Sequence, residues 1–250
     1  MTDRFEICHA ITAKWEGGWS DHPADPGGKT MYGITEKRWH EYQDKLKVKR
    51  TPVRNVTKAQ ALSFYRTEFW LACGADKLFP GVDLAVNDAS VNSGVSRGRK
   101  WLLASAGSND HSETVKKICR ARLSFMQSLK IWKTFGRGWG RRVADIEARG
   151  VAMALAAMGL SAPQIREKAQ FEAVASEKQA SSAKKAATTS ATAASAPAAA
   201  PVVEPSSVTD ATTVWLLVAI VAAGAVATVI FIARKRAADA RVQAYNEVSA

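Results

Sequence analysis

The sequence predicts an all-α globular domain, then a disordered Ala/Ser/Pro linker and one transmembrane helix. Three observations carry that prediction. Apolar residues recur three and four apart through much of residues 1–168, the period of an amphipathic helix. Residues 169–213 are rich in Ala, Ser, Thr and Pro and almost free of large apolar side chains. Beyond them, Val214–Ala233 carries no charge.

A chain of 250 residues is long enough for one or two domains with a real hydrophobic core. Its formal net charge of +12 points to an anionic partner: nucleic acid, anionic lipid or bacterial cell wall. The basic residues are spread out, and no helix-turn-helix, RRM or arginine-rich arm occurs, so nucleic acid is not expected. Cys8, Cys73 and Cys119 are far apart and odd in number, so neither a disulfide framework nor a CxxC metal pattern is present. They are expected as buried thiols. Met1–Ala10 is polar and amphipathic, without the apolar core of a signal peptide.

Thr2 or Asp3 can cap a first helix whose apolar face is Phe5, Cys8, Ile11 and Trp15. Glu16 closes that helix and Gly17-Gly18 end it. Trp19–Gly33 (WSDHPADPGGKTMYG) reads as a loop crowded with Pro, Gly and Asp. Helical patterns resume at Glu36–Tyr42, Lys58–Trp70 and Leu84–Ser93.

Glu16 is the first chemical candidate. The negative end of the helix dipole and two flanking tryptophans, Trp15 and Trp19, would both disfavour its charged form. A general acid needs that property; the plain alternative is a surface carboxylate beside a turn. Asp21 and Asp25 lie a short loop away, and Thr30 and Tyr32 add hydroxyls that could hold a water. Two carboxyl groups are what glycoside hydrolysis uses, one as acid and one as base or nucleophile. Asp88, Asn87 and Asn92 suit substrate contact or support for the cleft; the plain alternative is helix-capping and loop hydrogen bonds. Trp132, Phe135, Trp139, Arg137, Arg141 and Arg142 could line a sugar-binding face or belong to a core.

Other chemistries lack their motifs. His40-Glu41 opens like H-E-x-x-H but ends in Asp44; Asp21, Asp25 and Gly27 fail the EF-hand spacing; and G-x-S-x-G and Walker A are absent. His9, His22 and His111 have no ligand-like spacing, and Cys8-His9 point different ways on one helix. No metal and no cofactor is expected.

The stretch EGGWSDHPADPGGKTMYGIT (Glu16–Thr35) resembles the signature of the glycoside hydrolase family 108 N-acetylmuramidases of bacteria and phages. Trp19 stands where the pattern usually has Tyr, and Met31 where it often has Asn. FYRTEFWLACGADKL (Phe64–Leu78) and LAVNDASVNSG (Leu84–Gly94) are similar to two further stretches of that family. FMQSLKIWKTFGRGWGRRV (Phe125–Val143) resembles the peptidoglycan-binding region that follows in those proteins. Glu16, Asp25 and Thr30 also resemble the Glu/Asp/Thr spacing of phage lysozymes, with the last interval one residue shorter.

The resemblance implies a lysozyme-like helical fold, with a catalytic region at 1–94 and a helical peptidoglycan-binding region at 95–168. It implies cleavage of β-1,4 bonds between N-acetylmuramic acid and N-acetylglucosamine, with Glu16 as acid. Asp25 and Thr30 complete the catalytic set, and Trp19, Asp21, Tyr32, Asp88, Asn92 and Trp139 are candidate substrate contacts. The alternative is an inactive, membrane-tethered peptidoglycan-binding protein.

The linker, 169–213, allows a helix through about Lys185, and the remainder cannot bury enough surface to fold. As a coil it spans about 35–40 Å, enough for a leash or a plain spacer. Val214–Ala233 is about 30 Å long as a helix, the thickness of a bilayer core. Arg234-Lys235-Arg236 follow at once, so the positive-inside rule places the tail, 234–250, in the cytoplasm. The expected location is the bacterial inner membrane, single-pass, with the catalytic region facing the periplasm and wall. A holin or an export pathway is then a candidate partner.

Overall fold

The computed structural model describes the backbone of residues 3–21, 28–195 and 211–250, and their side chains except at 190–195 and 211–226. Among the described residues the chain is all-α, with a single two-stranded hairpin. It divides into two compact units, residues 1–125 with 145–165, and residues 126–144 with 166–250.

In the first unit, helix α1 spans Arg4–Ala13 and is capped by Asp3, whose carboxylate accepts from the Phe5 N–H at 3.0 Å. It stops short of Trp15: the N–H groups of Lys14, Trp15 and Glu16 donate three residues back, tightening the last turn. Strand β1 (Thr30–Met31), inside the expected loop Trp19–Gly33, pairs antiparallel with β2 (Ile34–Thr35) just past it. Tyr32 and Gly33 form their turn, both with positive φ (51° and 76°), the two-residue type I′ geometry. Helix α2 (Glu36–Lys45) follows, capped by Thr35. Helix α3 (Lys58–Tyr65) starts with a Thr57/Gln60 capping box and runs into a π-helical turn, Arg66–Leu71.

Helix α4 (Val82–Ser93) is buried from Val82 to Ser90 and forms the centre of this unit. Its entry is fixed by Asp83, which accepts from the Gly81 and Leu84 N–H groups and from Arg4 of α1 (Nη2–Oδ2 2.6 Å). Helix α5 (Val95–Ser105) leans on it through Gly98, where a Cβ would meet the Ser90 hydroxyl. Helices α6 (His111–Gln127) and α7 (Trp132–Ala157) complete the wall. Gly81 lies so close to Gly150 of α7 that a Cβ there would overlap the Gly150 carbonyl. Phe5, Ile34, Phe64, Leu84, Val86, Val115, Ile118 and Ile146 are buried, each contributing about 1.5–3 kcal/mol relative to exposure. Cys8, Cys73 and Cys119 are free and buried, with burial pushing each thiol's pKa up.

In the second unit, helix α8 (Ala162–Ser195) runs through the first part of the expected linker and past Lys185. Alanine is the best helix former, and Ala169, Ala173, Ser176, Ala180 and Ala183 bury a stripe at heptad spacing. That stripe lies within the part, through about Lys185, where the composition allows a helix, and the helix continues beyond it to Ser195. Residues 196–210 lie outside the described residues. Helix α9 (Ala211–Ser249) contains the expected membrane span, Val214–Ala233, but the side chains of 214–226 lie outside the described residues. Among the described residues no helix is long and apolar enough to cross a membrane.

Candidate active site

Glu16 stands half-buried just beyond the tightened end of α1, at a cavity of about 280 Å³. The walls come from α1 (His9, Ala13), the hairpin turn (Tyr32) and α3 (Lys58, Ala61, Leu62, Tyr65). Glu16 is the one carboxylate among the described residues lining it. Neither expected tryptophan is a wall. The i→i−3 turn swings Trp15 toward α7, where its ring N–H donates to Asp145 Oδ2 at 3.1 Å. Trp19 is 38% exposed with the Arg54 guanidinium 5.2 Å from its ring centre.

Gly33 makes room for the acid. A Cβ at this position would lie 2.5 Å from Glu16 Oε2 and 2.6 Å from the Tyr65 hydroxyl. The Tyr65 hydroxyl donates to the Tyr32 carbonyl at 2.8 Å, tying α3 to the hairpin turn. Tyr32 holds φ 51°, a conformation that costs a non-glycine residue on the order of 1–3 kcal/mol. Gly33→Ala is therefore expected to lower kcat by about a hundredfold, the scale of a 1 Å misplacement of a catalytic group. Parallel kinetics and thermal melts check this: a normal kcat in a folded Gly33→Ala protein would contradict the geometry.

His9 lies behind Tyr65, with ring centres 4.7 Å apart, and stacks on Phe5 at 5.3 Å. It is 8% exposed, and its Nδ1 has no hydrogen-bond partner among the described residues. Burial pushes its pKa down to about 4, so it is neutral at pH 7. An unfolded histidine titrates near 6.5. Below that pH the unfolded chain takes up a proton that the folded chain refuses. The stabilisation is complete above pH 6.5 and falls by roughly 3 kcal/mol as pH drops toward 4. Denaturant melts at pH 7 and 4.5 should show wild type losing more stability on acidification than His9→Met; equal losses would contradict a neutral buried His9.

The remaining candidates scatter. Asp25 lies outside the described residues. Asp21 is exposed. Thr30 pairs with Ser20 through both backbone groups, and its hydroxyl donates to the Gly28 carbonyl at 3.1 Å. Asp88 is fully buried against Arg122, also fully buried (Nη1–Oδ2 2.6 Å), and Asn92 accepts from the same guanidinium at 3.1 Å. A fully buried Asp88 held by Arg122 fits a supporting hydrogen-bond role better than direct substrate contact. Trp139 belongs to the second unit, where it stacks on Phe135 at 5.7 Å and tilts on Trp132 at 6.2 Å. Among the described residues no group of three His, Cys, Asp or Glu is placed to hold a metal ion. Tyr65, His9 and Gly33 were not read as site residues; the Tyr32-Gly33 pair within the quoted motif was the available signal.

Residues 9–94, from the second half of α1 to the end of α4, match the model of the Glycosyl hydrolase 108 family. The chain is also similar to a solved structure, SagA of Brucella abortus, at 29% identity and a TM-score of 0.52. That likeness covers 60% of this chain and 95% of the SagA chain. No curated protein matches.

Proposed function

We propose that this chain is a peptidoglycan hydrolase of the N-acetylmuramidase type, with Glu16 as its general acid. The observation that carries the reading is the position of Glu16, the sole described carboxylate at the cavity, inside the segment that matches Glycosyl hydrolase 108. Glu16 gives its proton to the bridging oxygen between N-acetylmuramic acid and N-acetylglucosamine. The C1–O bond breaks, its electron pair stays on that oxygen, and C1 passes through an oxocarbenium-like state. Water then adds to C1 and loses its proton to a carboxylate. Asp25 is the proposed second carboxylate, with Thr30 orienting the water.

Trp19, backed by Arg54, offers an exposed ring for a sugar face, and Tyr32 and Asp21 border the same loop. Trp139, with Phe135 and Trp132, is proposed as an aromatic wall contact of the second unit. The net charge of +12 draws the chain to the anionic wall. We place it at the bacterial inner membrane, anchored through the uncharged stretch Val214–Ala233, with the catalytic unit on the periplasmic side and the basic tail in the cytoplasm. A holin or an export pathway would bring the catalytic unit to the wall.

The test is clearing of purified peptidoglycan by the full chain in detergent. Falling turbidity with release of soluble fragments supports the enzyme. Tight binding without clearing supports the alternative, an inactive tethered wall-binding protein.

A further inference from the structure

We infer that Tyr65 is the positioning residue of the Glu16 carboxyl; this rests on the reading of Glu16 as general acid. Glu16 follows the last turn of α1, its N–H donating to the Ala13 carbonyl at 3.2 Å, with the exposed Gly17 and Gly18 next in the chain. The Tyr65 hydroxyl and Glu16 Oε2 crowd one small space, the position that a Cβ on Gly33 would fill. That hydroxyl is held from three sides. Its proton goes to the Tyr32 carbonyl at 2.8 Å. Its ring is stacked on Phe69 at 5.5 Å and set edge-on to Phe64 at 5.6 Å. Behind it, the neutral His9 ring packs at 4.7 Å.

The π-helical turn begins at the next residue, Arg66, and π-turns re-aim side chains that a regular helix would direct elsewhere. Tyr65 is thus a fixed post beside which the Glu16 carboxyl is seated. It acts through Glu16 and makes no bond in the reaction.

The experiment is a double-mutant cycle on the full chain with purified peptidoglycan, using Tyr65→Phe, Glu16→Asp and the pair. Tyr65→Phe keeps the ring and removes only the hydroxyl. We expect kcat to fall tenfold to a hundredfold with KM within about twofold, the mark of a misplaced group and not of lost binding. The melting temperature should drop by only about 2–4 °C, the scale of one hydrogen bond. In the Glu16→Asp background, whose shortened carboxyl no longer reaches the post, Tyr65→Phe should cost less than twofold.

The inference is overturned if Tyr65→Phe has wild-type kcat, if it changes KM alone, or if its cost is the same in both backgrounds. Should Tyr65→Phe fail to fold, 3-fluorotyrosine at 65, which keeps the shape and weakens the hydroxyl as an acceptor, is read in the same cycle. Failure of the underlying reading looks different: Glu16→Gln would then retain activity whatever stands at 65.

Discussion

Glu16→Gln is expected to lower kcat on peptidoglycan by a hundredfold or more, leaving KM and thermal stability close to wild type. General acid catalysis contributes about 10²–10⁴-fold, and a glutamine amide has no proton acidic enough to release to the bridging oxygen. The amide has the shape of the carboxyl and fits the same space beside Gly33, where Cβ atoms are excluded. Glu16 is half-buried, so placing a neutral amide there costs little desolvation. The loss should therefore appear in turnover alone, as new reducing ends counted over time in a protein that still melts normally and still binds the wall. A Glu16→Gln protein that keeps a third of its turnover would remove Glu16 from the chemistry.

Arg122→Met carries the largest expected effect on stability. Arg122 and Asp88 are both 0% exposed, and the guanidinium also serves Asn92. Replacing the cation by an apolar side chain of similar length removes the charge that faces the buried Asp88 carboxylate, at a cost of about 3–5 kcal/mol. For a unit of this size that is a melting temperature lower by roughly 10 °C or more. Replacing both partners by apolar residues, Arg122→Met with Asp88→Leu, should recover much of the loss, because the dominant penalty is a buried carboxylate without its cation. If the single and double substitutions melt together, the cost comes from packing and the ion pair is not its source.

Much of the first unit was legible because its signals are local. Asp3 is one of two caps read from the chain, and the patterns at Glu36–Tyr42, Lys58–Trp70 and Leu84–Ser93 all fall on helices. The π-turn inside the second of these was not legible, since a single turn is too short for its wider spacing to show in the apolar pattern. Glu16 could be found because its motif is contiguous.

The walls of its cavity could not be read the same way. Sequence neighbours Trp15 and Trp19 looked like walls, but the chain turns between them, and the true walls come from Tyr65 and Leu62 on a later helix. Asp88 shows the limit of residue type as a signal: an aspartate in a helix pattern suits a cleft contact and a buried ion pair equally, and only burial separates them. In the second unit the helix allowed through about Lys185 forms, with small side chains burying a stripe as far as Ala183, and it continues to Ser195 into residues that read as a leash.

Hydrolysis of the muramic acid linkage by a Glu16-centred site is read from the chemical identity of the released ends. Purified peptidoglycan is digested with the full chain in detergent and the soluble fragments are sized by mass spectrometry, with Glu16→Gln in parallel. Wild type is expected to release fragments ending in reducing N-acetylmuramic acid, nearly absent with Glu16→Gln. Fragments ending in reducing N-acetylglucosamine, cleaved peptide stems, or no fragments at all would contradict it.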